Sequence, residues 1–396
     1  MIIPIKQRYL AQYIQQDLVN KMVFIGGPRQ VGKTTLAKNL GKKHYQQTLY
    51  LNWDAVNDRK IILQASFPGQ TDLIIFDELH KYRQWKNHIK GIYDTKPDGL
   101  NIIVTGSARL DIYRKGDDSL FGRYFNYRLH PFSLAELLQH KATYTIGNEL
   151  SFDYTNAKHR RELFDQLWQF SGFPEPLFQQ DDITIRRWRN QRLDRLIKED
   201  IRDIELIRDL SAMQVLVELL PKRVGSPLSL NALREDVNVA HKTISLWVDI
   251  LERFYYHFRL PLFSHQRIKS LRKEKKLYLY DWSEINNPAI RLENIVATHL
   301  LKFCHFLYDV EGYKAELFYV RDIEGREIDF LVAVDNKPWF AVEVKEKQTS
   351  LSSHLKYFAD KLQIPQLYQV VNTPGVDFIQ HKVRVMSVDL FLSGLI

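Results

Sequence analysis

The 396-residue sequence predicts an α/β protein: a parallel sheet with crossover helices, then a helical connection and two smaller units. Three observations predict it. Between residues 21 and 107 short apolar runs alternate with helix-period segments. A glycine-rich turn closes the first of those runs, and two β-rich runs near the C-terminus flank a turn. At about 100 to 200 residues per domain, the length allows roughly two to four compact units. Apolar residues at 45% and charged residues at 26% exclude disorder over most of the chain.

The elements follow in order. Met22 to Ile25 reads as a buried strand and Lys33 to Leu40 as a helix. Leu49 to Leu51 precedes a further helical stretch, Leu73 to Phe76 precedes Trp85 to Tyr93, and Ile102 to Val104 follows. Residues 1–150 are therefore expected to form one sheet domain. Residues 151–209 read as charged helices, a lid or linker, broken at Gly172-Phe173-Pro174-Glu175-Pro176, where no helix is expected to continue. Residues 210–285 read as three helices and two strands, and residues 286–396 as a helix, several strands and another helix.

Met1 to Gln16 lacks the apolar stretch of an export signal. Ile295 to Val310 carries His299, Lys302, His305 and Asp309, which stops it well short of the roughly 20 apolar residues of a span. The single cysteine, Cys304, can form neither an internal disulfide nor a thiolate metal site. The expectation is a cytoplasmic protein with no membrane partner. Fifty-six basic against 47 acidic residues, a net charge of +9, favour a polyanionic partner.

Gly27-Pro28-Arg29-Gln30-Val31-Gly32-Lys33-Thr34, followed by Thr35, fits the spacing G-x-x-x-x-G-K-[ST] between a strand and a helix. Glycines there let successive backbone N–H groups curl around phosphate oxygens. The helix N-terminus adds partial positive charge, Lys33 reaches the β and γ phosphates, and the Thr34 hydroxyl ligates Mg²⁺. ATP with Mg²⁺ is the expected cofactor pair. Leu73 to Glu78 ends a buried strand in two acids: Asp77 is expected to hold the metal and Glu78 to polarise the attacking water. Ser107 would face the γ-phosphate if the strand Asn101 to Thr105 lies between the loop strand and the acidic strand; a plain strand-ending serine is the competing reading. Arg123 could reach a transition-state phosphate in its own or a neighbouring subunit, or be a solvated charge.

The combination of GPRQVGKTT, LIIFDELHKYRQWKNHIKGIYD, VTGSA, SLFGRYFNYRLHPFSLAE and SGFPEP resembles the prokaryotic AAA family ATPases that carry a C-terminal domain of unknown function. The resemblance runs over nearly the whole chain. It implies a P-loop NTPase of AAA+ type, with Gly27 to Thr35 as the nucleotide loop, Asp77 and Glu78 as metal-binding and catalytic acids, Ser107 as sensor and Arg123 as finger. Ser171 stands where that pattern has glycine.

Within residues 210–285, Val239, Ile244, Trp247, Val248, Ile250, Leu251 and Phe254 mostly follow helical spacing, which leaves His241, Lys242, Thr243 and Ser245 exposed. A basic loop follows, with Arg267, Lys269, Arg272, Lys273, Lys275 and Lys276 against Glu274 alone. Together these read as a winged-helix domain with a DNA-contacting helix and wing, or as an interdomain packing module.

Glu327 to Val334 and Trp339 to Lys345 read as a hairpin turning at Asp335-Asn336-Lys337-Pro338. With the turn centred between Asn336 and Lys337, Asp329 falls opposite the neighbourhood of Glu343 to Lys345. Glu343 and Lys345, two apart, share a face, so two carboxylates and an ammonium converge where Mg²⁺ or Mn²⁺ could bind. This D…E-x-K arrangement resembles the PD-(D/E)XK nuclease fold, and Glu293 on the preceding helix matches its further metal-binding glutamate. Cross-strand ion pairing is the competing reading. The function expected is an Mg²⁺-dependent ATPase whose nucleotide state controls a DNA-associated C-terminal half. The alternatives are a nucleotide-gated regulatory protein whose inactive C-terminal half binds a partner protein, and a signalling ATPase whose output is homo-oligomer assembly.

Overall fold

The computed structural model describes residues 7–106, 120–140, 142–201, 209–264, 274–347 and 350–396. Its N-terminal half is built on a five-stranded sheet: β1 Met22–Gly26, β2 Thr48–Asn52, β3 Leu73–Asp77, β4 Asn101–Thr105 and β5 Tyr124–Arg128. All pairings are parallel, in the order β2-β3-β4-β1-β5. Helices cover both faces, and the strands' period of two divides their side chains between them. Val23, Ile25, Ile75 and Ile103 pack with α1 (Ala11–Leu18) and α2 (Lys33–His44). Phe24, Ile74, Phe76 and Val104 pack with α3 (Val56–Gln64) and α4 (Trp85–Thr95).

After α5 (Leu134–Leu138), residues 157–195 form α6 Ala157–Phe170, α7 Pro174–Gln179 and α8 Asp182–Arg195. The break expected across 172–176 is shorter than the sequence implied, because α7 starts at Pro174. Proline is tolerated in a first helical turn, whose N–H groups have no intrahelical acceptor. The true turn is Ser171-Gly172-Phe173. A side chain at Gly172 would put its Cβ 2.6 Å from the Phe132 carbonyl oxygen, so close backbone approach requires glycine there.

Residues 210–285 contain α9 Leu210–Leu219, α10 Leu230–Val237, α11 His241–Arg253 and the antiparallel pair β6 His257–Leu260 and β7 Lys276–Leu279. Val224 and Pro227 add bridges to Leu277 and Lys276. His241 and Lys242 are exposed at the start of α11, whereas Thr243 and Ser245 are half-buried. Of the basic loop, Arg267, Lys269, Arg272 and Lys273 lie outside the described residues. Lys276 is no surface charge: as the first residue of β7 it points inward and is 2% exposed. The arginine-rich α8 is similarly divided, with Arg186, Arg187 and Arg195 exposed but Arg192 buried against Asp281 and Glu284.

The last unit starts with the 22-residue helix α12 (Pro288–Asp309). Strands β8 Ala315–Arg321, β9 Glu327–Val334 and β10 Lys337–Lys345 form an antiparallel meander. Helix α13 (Ser353–Leu362) then returns the chain to β11 (Gln366–Val371), parallel to β10. Strands β12 (Asp377–Gln380) and β13 (Val383–Ser387) and helix α14 (Val388–Ser393) finish the unit. The largest apolar core runs from Leu10 to Leu395 and joins one face of the N-terminal sheet to α6–α12 and the last unit, while α3 and α4 pack on a second core and α13 on a third. Among the described residues no helix is long and apolar enough to cross a membrane.

Candidate functional site

The glycine-rich turn leaves the end of β1, where Gly27 has φ 147° and its position would put a Cβ 2.3 Å from the Leu129 carbonyl oxygen. Gly32, at φ 99°, then turns the chain into α2. No side chain fits at the first position, and the second is a conformation that L residues rarely adopt. Lys33 is buried and donates to the carbonyl oxygens of Gly27 at 2.9 Å and Pro28 at 2.8 Å, so its ammonium folds back over the loop.

Strand order brings the acids to this loop. Strand β4 lies between β1 and β3, with Thr105 beside both Ile25 and Asp77. Asp77 is buried and receives three hydroxyl donors: Thr34 at 2.9 Å, Tyr50 at 2.7 Å and Thr105 by a short bond. Burial, reinforced by the acceptor Asp77, pushes the Tyr50 hydroxyl far above its ordinary range, which keeps it a donor. Glu78 holds φ 55° and ψ 24°, a left-handed conformation that turns its carboxylate back toward His80, 3.5 Å away. Burial raises its pKa, and the charge of Lys33 opposes that rise. A strained, proton-avid carboxylate beside a phosphate loop has the chemistry of a general base.

A cavity of about 420 Å³ opens beside the loop, lined by Gln12, Gly32, Leu36, Asn39, Pro174 and Phe178 among others. It lies between α1, α2 and α7, and its lining mixes apolar side chains and amides with the basic Arg8, Lys43 and His44, a setting that suits a flat heteroaromatic ring.

The expectations for Ser107 and Arg123 meet different outcomes. Ser107 lies outside the described residues, although β4 does occupy the position on which its role depended. Arg123 is misplaced for its own site. It precedes Tyr124, which pairs with Met22 at the opposite end of β1, about 17 Å of strand from the loop. Its guanidinium grips Asp94 at 2.7 and 3.2 Å.

In the C-terminal unit Asp335 and Asn336 both have positive φ, 50° and 64°, as a two-residue hairpin turn of the primed type requires. The turn is therefore centred one residue earlier than expected. Val342 pairs with Phe330, which places Asp329 opposite Glu343. The Val344 N–H donates to Asp329 at 2.8 Å, and Lys345 reaches Glu343 at 2.7 Å. From α12, Glu293 accepts from the Tyr278 hydroxyl at 2.6 Å and lies 3.7 Å from the Lys276 ammonium. The four expected residues thus converge. Sequence reading missed Lys276, Tyr278 and Glu327; of these, Glu327 had a signal, being two residues from Asp329 on one strand face. Burial raises Glu293 to about 8 and Glu343 to about 7, with Asp329 adding to both. No group of three or more His, Cys, Asp or Glu side chains among the described residues has a metal-holding arrangement.

A third cluster had no sequence signal. Arg8 donates to Val31 of the loop at 2.8 Å and to Glu136 at 2.6 Å, and Glu136 binds Lys302 of α12 at 2.6 Å. All three are buried. Their positions, 8, 136 and 302, meet only through the fold.

Residues 19–138 match a family described as an AAA domain, residues 161–287 one described as a domain of unknown function (DUF8612), and residues 291–391 another, DUF4143. An uncharacterized protein of Mycobacterium tuberculosis is 21% identical over 357 residues, 87% of this chain and 75% of its own length. A protein of Mycobacterium bovis, also uncharacterized, matches to the same extent. Among solved structures, the Thermotoga maritima RuvB Holliday junction branch migration motor is 18% identical, with 67% of this chain and 91% of that chain covered at a TM-score of 0.30. Bacteroides Pif1 bound to ssDNA is 15% identical, covers 42% of this chain and 57% of that chain, and has a TM-score of 0.24. Those overlaps are too loose to bear on function. The AAA match supports ATP binding and hydrolysis at a general level.

Proposed function

We propose that this protein is an Mg²⁺-dependent ATP hydrolase whose nucleotide state acts on a C-terminal half that works on or beside DNA. One observation carries the hydrolase reading: Asp77 is held by the Thr34 hydroxyl at the end of the buried strand β3, with β4 between it and the glycine-rich turn. Metal would sit between Thr34 and Asp77, and the cation would neutralise charge building on the phosphates. Lys33 would exchange its loop carbonyls for the β and γ phosphates. Glu78 would take the proton of the attacking water, and the 420 Å³ cavity would seat the base.

Lys33→Ala should abolish nucleotide binding and turnover, whereas Glu78→Gln should bind ATP but turn it over at least about a hundredfold more slowly, the usual size of a lost general base. Full ATPase activity in both purified variants would overturn the assignment.

For the C-terminal half, α9–α11 with the β6–β7 hairpin support a winged-helix reading. The order α12-β8-β9-β10-α13-β11, with Glu293, Asp329, Glu343 and Lys345 at one place, supports a nuclease-like one. The second reading, a nucleotide-gated regulatory protein with an inactive C-terminal half, draws on Lys276, whose ammonium already stands among those carboxylates. Labelled DNA with Mg²⁺ or Mn²⁺ separates the two: cutting that Asp329→Ala and Lys345→Ala abolish supports the nuclease, and no cutting supports the regulator.

A further inference from the structure

The carboxylate site of the last unit receives a residue from the unit before it. Lys276 is the first residue of β7, and its side chain is 2% exposed. Its Nζ lies 2.5 Å from Glu327 Oε1 and 3.7 Å from Glu293 Oε1, and it is the strongest charge acting on Asp329. The lysine is fixed in place by its backbone. Lys276 pairs with Leu260 of β6 and bridges Pro227, so the whole hairpin sets the position of the ammonium.

Charge counting shows what this ammonium replaces. Glu293, Glu327, Asp329 and Glu343 carry four negative charges when ionised, against the two ammoniums of Lys276 and Lys345; Arg321 touches only the outer edge, 3.5 Å from Glu327. Fully ionised, the cluster would be short of positive charge. Glu343 records the deficit independently: the residue is 5% exposed, Oε1 takes Lys345, and Oε2 is buried without a hydrogen-bond partner. A buried carboxylate oxygen with no donor is costly unless something cationic reaches it. A divalent cation bound by Glu343 and Asp329 would satisfy it, but it would lie close to the Lys276 charge and meet direct repulsion.

We propose that Lys276 is a built-in competitor for the metal, by which the 210–285 unit keeps the Glu293–Asp329–Glu343 site closed to a divalent cation. The proposal rests on reading that cluster as a cation site. A cation would enter only with that ammonium withdrawn, and the position of the ammonium is set by the β6–β7 pairing.

Mn²⁺ titration of the full, nucleotide-free chain, followed by loss of the free-ion electron paramagnetic resonance signal, tests this in wild type, Lys276→Met, Lys276→Gln, Asp329→Asn and the Lys276→Met/Asp329→Asn double variant. Lys276→Gln keeps a donor for Glu327 in case the methionine variant folds poorly. Both single lysine variants should bind Mn²⁺ at least about tenfold tighter than wild type, a modest figure for removing a unit charge at this range, and the double variant should lose the gain. Wild-type binding as tight as in the lysine variants, yet lost in Asp329→Asn, overturns the competitor and leaves the cation site standing. No Asp329-dependent binding in any variant overturns both.

Discussion

Ser171 holds φ 73° and ψ 174°, backbone space that only glycine enters freely, and its hydroxyl is buried without a hydrogen-bond partner. Both penalties stem from one side chain at the turn before Pro174, where the sequence pattern already marked a departure from glycine. Ser171→Gly should therefore stabilise the protein by about 1 to 2 kcal/mol, read as a higher urea midpoint. Glu284 is the second residue with a measurable cost. Burial raises its pKa to about 7 and Asp281 adds to the rise, although Arg192 lies 3.3 Å away. Between its ordinary pKa near 4.5 and about 7, the folded state holds a proton that the unfolded state releases. Its contribution to stability therefore falls as pH rises through that window. Unfolding free energies across pH 4.5 to 7.5 should show this slope in the wild type and a flatter profile in Glu284→Gln. Neither residue's environment was legible from composition; only the oddity of Ser171 in its motif was.

Among the elements, α12 spans the greatest range of roles. Glu293 in its second turn stands at the carboxylate cluster, while Lys302, nine residues on and about 13 Å along the axis, binds Glu136 beside the phosphate loop. Asp309 at its end pairs with Arg128 of β5 at 2.7 Å. The helix thus contacts the carboxylate cluster directly and the phosphate loop through Glu136 and Arg8. Glu136 is the joint: burial favours its neutral form, but Arg8 and Lys302 outweigh burial and hold its pKa down. Glu136→Gln leaves two buried cations facing a neutral amide and should cost about 3 to 5 kcal/mol in chemical denaturation. Because Arg8 also anchors the Val31 carbonyl, nucleotide affinity should fall in the same variant, measured by fluorescent-nucleotide titration. The helix was readable from the apolar run Ile295 to Val310. Its two attachments were not, since a lysine on a helix reads as a solvated charge until packing supplies a carboxylate.

At the scale of the molecule, the charge surplus divides into surface and interior. Arg186, Arg187 and Arg195 on α8 face solvent, whereas Arg192 is spent on buried carboxylates and the buried Lys276 on half-buried ones. If DNA docks on α8, replacing the three exposed arginines with alanine should flatten the salt dependence of the logarithm of the affinity, by up to about 0.9 for each phosphate no longer neutralised. An unchanged slope would place the polyanion surface elsewhere. The sequence by itself determined the phosphate loop, the acids at the end of β3, and a hairpin that brings Asp329 to the neighbourhood of Glu343 to Lys345; the exact register was set by the structure. Those features are local: strand period, turn chemistry and motif spacing act within a few residues. Tertiary structure alone decided that β4 lies beside β1, that Arg123 sits at the far end of the sheet, and that Lys276 enters the carboxylate cluster. Each of these depends on which distant segments pack together, and a buried charge has a partner only once packing brings one.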